Sequence, residues 1–433
     1  MAALGTIRPQ ALIEGGDYAG VDIAEADALA AGMTPEAAAH LAAPQGPRPA
    51  AGPTTRLRPV TTRDDLERVG SIAVLRALPG VGDMLCAVPA LRTLRRRYPD
   101  ARIGLVGLWS SRWMLDAYPG YVDELLPIDG LPLVCPPPAD VEGAMAALAE
   151  ARRQRFDLAV QLHGDGSLSN LVTAMIGARH ALVHHPLDRP APEGAMAVPY
   201  PGRGHEVVRL LELVDRLGVV GEAHLEPPDP AAQLPGAQLV AGLSVPPEGF
   251  AVIHPGAAQA SRRWSVAGFA AVASWLLDHD VAVVVTGTES EQELVDEIRR
   301  REPAVVDLCG RTGVNELAGV ITSARLVVTN DTGVAHLAAA VRAPSVVTFL
   351  GDDPGRWAPL DSVRHRLVPL AHVPEGDGDA SSSSSSYSYS SSSSPSGAPD
   401  RPPPCADLLH VELATVIDAV AEQLARFGPE GAR

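Results

Sequence analysis

The feature that most constrains this chain is a recurring unit: a short apolar run, a tight turn, then a helix-forming stretch. Its clearest copy is Leu326-Val327-Val328-Thr329, followed by Asn330-Asp331-Thr332-Gly333 and the Ala-rich run 334–340. An unbroken apolar run of this length reads as a strand buried on both faces, as in a parallel sheet. Asp, Thr and Gly supply the bend and a helix N-cap. Such a junction points main-chain N–H groups and a positive helix end at the carboxyl edge of the sheet, where phosphate or pyrophosphate binds. The plain alternative is a connection in which Asp331 or Thr332 only caps the helix.

The unit repeats in two blocks. The first predicts strands over 71–76, 102–107, 158–162 and 181–183, with helices over 84–98 and 206–217, the latter ending at Gly218. The second predicts strands over 250–253, 281–286, 326–329 and 345–349, with helices over 266–278, 291–301, 314–323 and 334–340. Alternating strands and helices with short connections give a parallel, doubly wound sheet in each block. The expected fold class is α/β, with two doubly wound Rossmann-like domains facing an interdomain cleft. Their expected limits are 69–240 and 241–375.

What flanks the blocks is different in kind. Residues 1–68 are rich in Ala, Pro and Gly and read as a largely flexible extension, with a short helix over 34–41 opened by Thr34-Pro35. Residues 376–405 include a Ser tract with too few apolar side chains to bury, and are expected to form a disordered linker. A terminal helix follows over 406–428, with Leu409, Leu413, Val416, Ile417, Val420 and Leu424 at helical spacing. The formal net charge of −17 argues against nucleic acid as a partner, because a polyanion needs a basic stripe. The four cysteines are scattered without metal-ligand spacing. No leader-like opening and no apolar run long enough to span a bilayer is present, so a cytoplasmic location is expected.

Candidate site residues lie where strands end. Gly80-Val81-Gly82 after the first strand suggests a dinucleotide turn, but Leu85 stands where a third small residue is needed, and the second strand ends at Gly107-Leu108-Trp109 without an acid. The same turn places Asp83 at the helix entrance, as an N-terminal acid or as a base facing a cleft. Gly82, His163 and Asp165 are the acceptor-side candidates, the last two from the loop His163-Gly164-Asp165-Gly166.

In the second block His254, Pro255 and Gly256 end a strand, and Arg262 and Arg263 follow a small-residue loop. Either arginine can bridge phosphate oxygens as a fork. Gly287 and the acids Glu289 and Glu291 follow the next strand, and one of those carboxylates is expected to accept ribose hydroxyls. Asp377-Gly378-Asp379 and Asp278-His279-Asp280 match a metal-holding Asp-x-Asp spacing, but neither stands at a strand's carboxyl end, so no metal is expected. Asp352-Asp353 does follow a strand, although Asp353-Pro354 also simply begins a turn.

Taken in order, these segments resemble glycosyltransferase family 9, the heptosyltransferase-like enzymes of bacterial envelope assembly. The resemblance covers roughly 71–370. It rests on Val74-Leu75-Arg76 with Gly82-Asp83 and Val88-Pro89-Ala90-Leu91, then Tyr98-Pro99. In the second half it rests on His254-Pro255-Gly256-Ala257, Arg262-Arg263-Trp264, Gly310-Arg311-Thr312, Asn330-Asp331-Thr332-Gly333 with His336, and Asp353-Pro354 with Arg356-Trp357.

The resemblance implies the GT-B architecture, inversion at the anomeric carbon, and neither an essential metal nor a cofactor. It implies a nucleoside-diphosphate sugar donor, with ADP-sugar favoured, and a glycan or glycolipid acceptor, compatible with peripheral membrane contact. It also implies that the terminal helix crosses back onto the first domain. By position Asp83 matches the family's proposed catalytic base, Arg262 the place of a phosphate-holding lysine, and Asp331, Thr332 and Gly333 the diphosphate loop, with His254, Pro255, Gly256 and His336 beside it. Arg for Lys, and Gly80-Val81 for a Ser-rich pair, are departures from the family pattern. The rival readings are a non-catalytic nucleotide-sugar-binding protein, a sugar-nucleotide epimerase and, third, a nicotinamide-dependent oxidoreductase.

Overall fold

A computed structural model of the protein describes residues 63–131, 140–243, 249–350, 353–370 and 405–427, with the isolated residues 57, 59 and 245. The helix expected over 34–41, Asp352, the Asp377-Gly378-Asp379 spacing and the Ser tract lie outside the described residues. The chain divides into two compact units, Met1–His224 and Leu225–Arg433.

The first unit holds a six-stranded sheet: β1 (Ser71–Leu75), β2 (Arg102–Gly107), β3 (Glu124–Pro127), β4 (Leu158–Gln161), β5 (His180–His185) and β6 (Met196–Pro199). Their order is β3-β2-β1-β4-β5-β6, and every pairing is parallel. The second unit repeats the plan with β7 (Phe250–His254), β8 (Ala282–Val285), β9 (Val306–Asp307), β10 (Leu326–Asn330), β11 (Ser345–Phe349) and β12 (His365–Pro369). Here the order is β12-β11-β10-β7-β8-β9, again all parallel. The doubly wound reading of both blocks therefore holds.

In each sheet the winding direction reverses between two central strands, β1 and β4 in the first, β7 and β10 in the second. Leu75 stands opposite Gln161 there, and Thr329 opposite His254. The loops leaving those strand pairs diverge and open a crevice at the carboxyl edge, the general ligand position of such sheets.

Three expectations are corrected. The helix after Gly80 begins at Val81 rather than 84 and runs to Arg97, so Asp83 lies inside its first turn. The boundary expected at 240 falls at the end of helix Pro230–Ala241, which packs in the second unit against helix Val314–Thr322. That crossing is tight because a Cβ on Gly236 would meet the Glu316 carbonyl oxygen at 1.8 Å, and one on Gly319 the Gln233 carbonyl oxygen at 2.1 Å. Finally, helix Cys405–Phe427 is part of the second unit's own core. Val416, Ala419 and Val420 are buried with Trp264, Phe269, Leu326 and Val346, and Leu413, Ile417 and Leu424 pack beside them. Its apolar stripe completes the second sheet's cover, as helical spacing requires.

Candidate functional site

In the first unit the crevice is built on a buried arginine. Arg76 follows β1 directly and has no exposed surface. Its Nη1 donates to the Leu162 carbonyl just past β4 and, at 3.1 Å, to Glu206 Oε1. Its Nη2 donates to the main-chain oxygen of Asp83 at 2.8 Å and lies 3.7 Å from Asp83 Oδ1. Asp83 is a first-turn acid, favoured as a carboxylate by the helix dipole, and its side chain is 27% exposed. Gly80 makes room for it: a Cβ there would stand 2.3 Å from Asp83 Oδ2.

The β4 loop adds His163, whose Nδ1 accepts the Ala77 main-chain N–H at 3.1 Å. That bond places the ring proton on Nε2. Burial, joined by the charge of Arg76, lowers the His163 pKa to about 4. The ring is therefore neutral near pH 7. Asp165 spends both carboxylate oxygens on its own turn, accepting from Ser167 N at 2.8 Å and Ser167 Oγ at 2.9 Å.

In the second unit Asn330, the last residue of β10, latches the loop after β7. Its Nδ2 donates to the carbonyls of Pro255 (2.8 Å) and Gly256 (3.2 Å). Its Oδ1 accepts from Trp264 N (2.8 Å) and Thr348 Oγ1 (3.0 Å). The latch sets His254-Pro255-Gly256 beside Asp331-Thr332-Gly333. Thr332 is the N-cap of helix Gly333–Ala340, accepting from Val334 N at 3.3 Å. The first turn of that helix therefore presents main-chain N–H groups at the carboxyl edge.

Arg262 reaches this loop from a 3-10 turn, while Arg263 donates through Nε to the Ala257 carbonyl at 2.8 Å. Beyond β8, Glu291 closes a capping box, its Oε2 accepting from Thr288 N and Oγ1 at 2.8 and 2.9 Å. Gly256 faces the same carboxylate, where a Cβ would lie 2.0 Å from Oε1. His254 Nδ1 pairs with Thr286 Oγ1 at 3.1 Å, and burial lowers the His254 pKa against the opposing charge of Glu291.

The match to the family model described as Glycosyltransferase family 9 (heptosyltransferase) spans residues 145–375, more than half of the 433 residues. The chain belongs to glycosyltransferase family 9. Among its relatives, it is 27% identical over 291 residues to lipopolysaccharide heptosyltransferase 3 of Escherichia coli, covering 64% of this chain and 83% of that one. It is 33% identical over 105 residues to lipooligosaccharide heptosyltransferase 2 of Haemophilus influenzae. That second match spans 23% of this chain and 30% of the relative.

Its fold is that of solved family structures. E. coli ADP-heptose lps heptosyltransferase II superposes with a TM-score of 0.59 at 20% identity, over 82% of this chain and 99% of that one. The family 9 structure from Veillonella parvula also gives 0.59, at 19% identity, over 70% and 86% of the two chains. The GT-B class expected from the sequence is the fold of this family 9 chain.

The candidate residues divide between the two sheets. Gly82, Asp83, His163 and Asp165 gather at the carboxyl edge of the first sheet. His254, Pro255, Gly256, Arg262, Arg263, Gly287, Glu289, Glu291, Asp331, Thr332 and Gly333 gather at that of the second. Glu289 is exposed there and Glu291 buried. His336 lies one turn into the helix, buried and edge-on to Trp357 with ring centroids 6.4 Å apart.

The turn Asp278-His279-Asp280 precedes β8 and so stands at the opposite, amino edge of the second sheet. Asp353 caps helix Pro354–Trp357, accepting from Gly355 N at 2.9 Å. Sequence reasoning left Arg76, Glu206 and Asn330 out of the site. Arg76 carried one signal, a charge ending an apolar strand, whereas Glu206 lies 130 residues from its partner and carried none.

Proposed function

We propose that this family 9 chain transfers a heptose-like sugar from a nucleoside-diphosphate sugar to a hydroxyl of a glycan or glycolipid acceptor, by one inverting displacement that needs no metal. The observation that carries this reading is the second sheet's crevice, where Arg262, the N-terminus of helix Gly333–Ala340 and the Asn330 latch converge. Negative charge grows on a departing diphosphate, and a guanidinium with main-chain N–H groups at a helix N-terminus offsets it without reorganising. Asp83 takes the proton of the attacking hydroxyl. Neutral His163 contributes a hydrogen bond to the acceptor side rather than a charge. Glu289, the exposed acid of the β8 loop, is the better placed of the two carboxylates for ribose hydroxyls.

The relatives named as lipopolysaccharide heptosyltransferases support a heptose donor and an envelope glycolipid acceptor. The E. coli heptosyltransferase WaaC solved with ADP, which shares this fold at a TM-score of 0.52, supports adenine as the donor base.

A thermal-shift panel of nucleoside diphosphates and their sugars, followed by a transfer assay with the best donor, tests the reading. A ligand that binds only the folded state raises Tm. ADP or an ADP-sugar is expected to give the largest shift, and transfer to a glycolipid acceptor to release the free diphosphate. Donor binding with no transfer to any hydroxyl acceptor overturns catalysis in favour of a binding protein. Conversion of the donor without an acceptor points to an epimerase.

A further inference from the structure

We propose that Glu206, acting through Arg76, is a positioning residue for Asp83, setting both where its carboxylate sits and how readily it takes a proton. The proposal rests on Asp83 being the proton acceptor of the transfer described above. Four chain segments meet at the Arg76 guanidinium: the end of β1, the first turn of helix Val81–Arg97, the residue after β4, and the first residue of helix Glu206–Val214.

The hydrogen bonds of Arg76 go to Leu162 O, Glu206 Oε1 and Asp83 O. Its nearest approach to the Asp83 carboxylate is 3.7 Å, an ion pair rather than a short hydrogen bond. The arginine therefore grips the main chain of Asp83 firmly, and acts on its carboxylate as a charge.

Charge counting shows what Glu206 adds. Its Oε2 lies 3.6 Å from Arg209 Nη1, and the same Nη1 donates to Tyr200 OH at 2.9 Å, with the guanidinium over the Tyr200 ring. Two buried arginines thus face one buried glutamate, and Asp83 is the second anion of the set. His163, which faces Arg76, and His184, buried beside Glu206 and Arg209, are both kept neutral by burial. Without Glu206, the charge of Arg76 is no longer shared with a buried carboxylate and acts on Asp83 undiminished, which holds its proton affinity too low for a base. Without Arg76, the first turn of helix Val81–Arg97 loses its anchor.

The experiment follows the Asp83 carboxyl by carbon NMR through a pH titration in the full chain, wild type against Glu206→Gln. This readout does not depend on turnover. Gln keeps the shape and an oxygen for Arg76, and the thermal melt checks folding. The expected result is a midpoint for Asp83 lower by about half a unit or more. The acid limb of the kcat–pH profile is expected to move the same way, with kcat down about tenfold and donor Kd unchanged.

The double variant Arg76→Met/Glu206→Gln removes the pair together and is expected to move the midpoint upward, so it decides the matter if the single variant does not fold. An unmoved midpoint in Glu206→Gln, or in the double variant where the single one does not fold, or a fall in kcat with an unmoved acid limb, overturns the proposal. A shifted midpoint in a protein that transfers no sugar leaves the coupling standing and overturns the proposed function instead.

Discussion

Arg262 and Asp331 are locked together at the carboxyl edge of the second sheet. One guanidinium nitrogen of Arg262, Nη2, lies 2.7 Å from Asp331 Oδ2 and 2.8 Å from its main-chain oxygen. The carboxylate is 3% exposed and the arginine side chain 28%, so the acid is the fixed partner and the arginine the accessible one. A cation held in place before the ligand arrives loses little freedom on binding a diphosphate. Arg262→Ala is expected to weaken nucleoside-diphosphate affinity by roughly 2 kcal/mol, about thirtyfold in Kd. Titration calorimetry returning the wild-type constant reassigns the phosphate contact to Arg263 or to the main chain.

Asp83→Asn keeps the size of the side chain and removes the base. Turnover is expected to fall by two orders of magnitude or more, in the range lost with a general base. Donor Kd, measured in parallel, stays near the wild-type value. Undiminished transfer removes Asp83 from the mechanism.

Gly80→Ala reaches the same carboxylate without touching it chemically. Gly80 has φ −75° and ψ 131°, which any residue adopts, so the backbone tolerates the change. The new Cβ, however, would lie 2.3 Å from Asp83 Oδ2 and push the carboxylate aside. The expected outcome is a kcat reduced about tenfold, with Tm and donor binding close to wild type. Full activity in the alanine variant shows that the acid has room to work elsewhere.

The central strands were legible in the sequence and the edges were not. β1, β2, β4, β5, β7, β8, β10 and β11 were anticipated, whereas β3, β6, β9 and β12 were not, and these four are the outermost strands of the two sheets. An edge strand is covered on one side only, so residues such as Glu124, Pro199, Asp307 and Arg366 interrupt the apolar run that betrays a central strand. The candidate site divides on similar grounds. Residues in strand-to-helix loops, Asp83 and Asp331 among them, are announced by local turn chemistry. Glu206 and Asn330 act on segments far away in sequence, through Arg76 and the carbonyls of Pro255 and Gly256, and no local pattern foretells such partners. The docking of the terminal helix on the second sheet was likewise a matter of which core lacked a cover.

Asn330→Asp tests the latch with an isosteric change. The donor that serves the Pro255 and Gly256 carbonyls becomes an acceptor facing two acceptors, in a fully buried position. Two hydrogen bonds are lost, and a buried charge is left against carbonyl oxygens. A destabilisation of about 3 kcal/mol or more is expected from urea unfolding. An unchanged midpoint means that the loop after β7 is held by other contacts.

His365 gives the fold a pH dependence whose sign can be worked out. It sits on the edge strand β12 with Nδ1 2.9 Å from Ser345 Oγ on β11, and burial lowers its pKa to about 4. The unfolded chain titrates this group near the ordinary value of 6.5. Between those values the unfolded state binds the proton and the folded state does not, so stability is fully present above pH 6.5 and is lost as pH falls. The loss amounts to about 1.4 kcal/mol per pH unit until roughly pH 4, below which both states are protonated and the slope vanishes. Buried His163 in the first unit, with its pKa also near 4, obeys the same sign. Urea unfolding of wild type and His365→Asn at pH 7, 6 and 5 separates the contribution. The stability gap between them is expected to close by about 1.4 kcal/mol for each unit below pH 6.5, because the asparagine variant has no proton to gain. A gap that stays constant across that range shows that His365 binds its proton equally in both states.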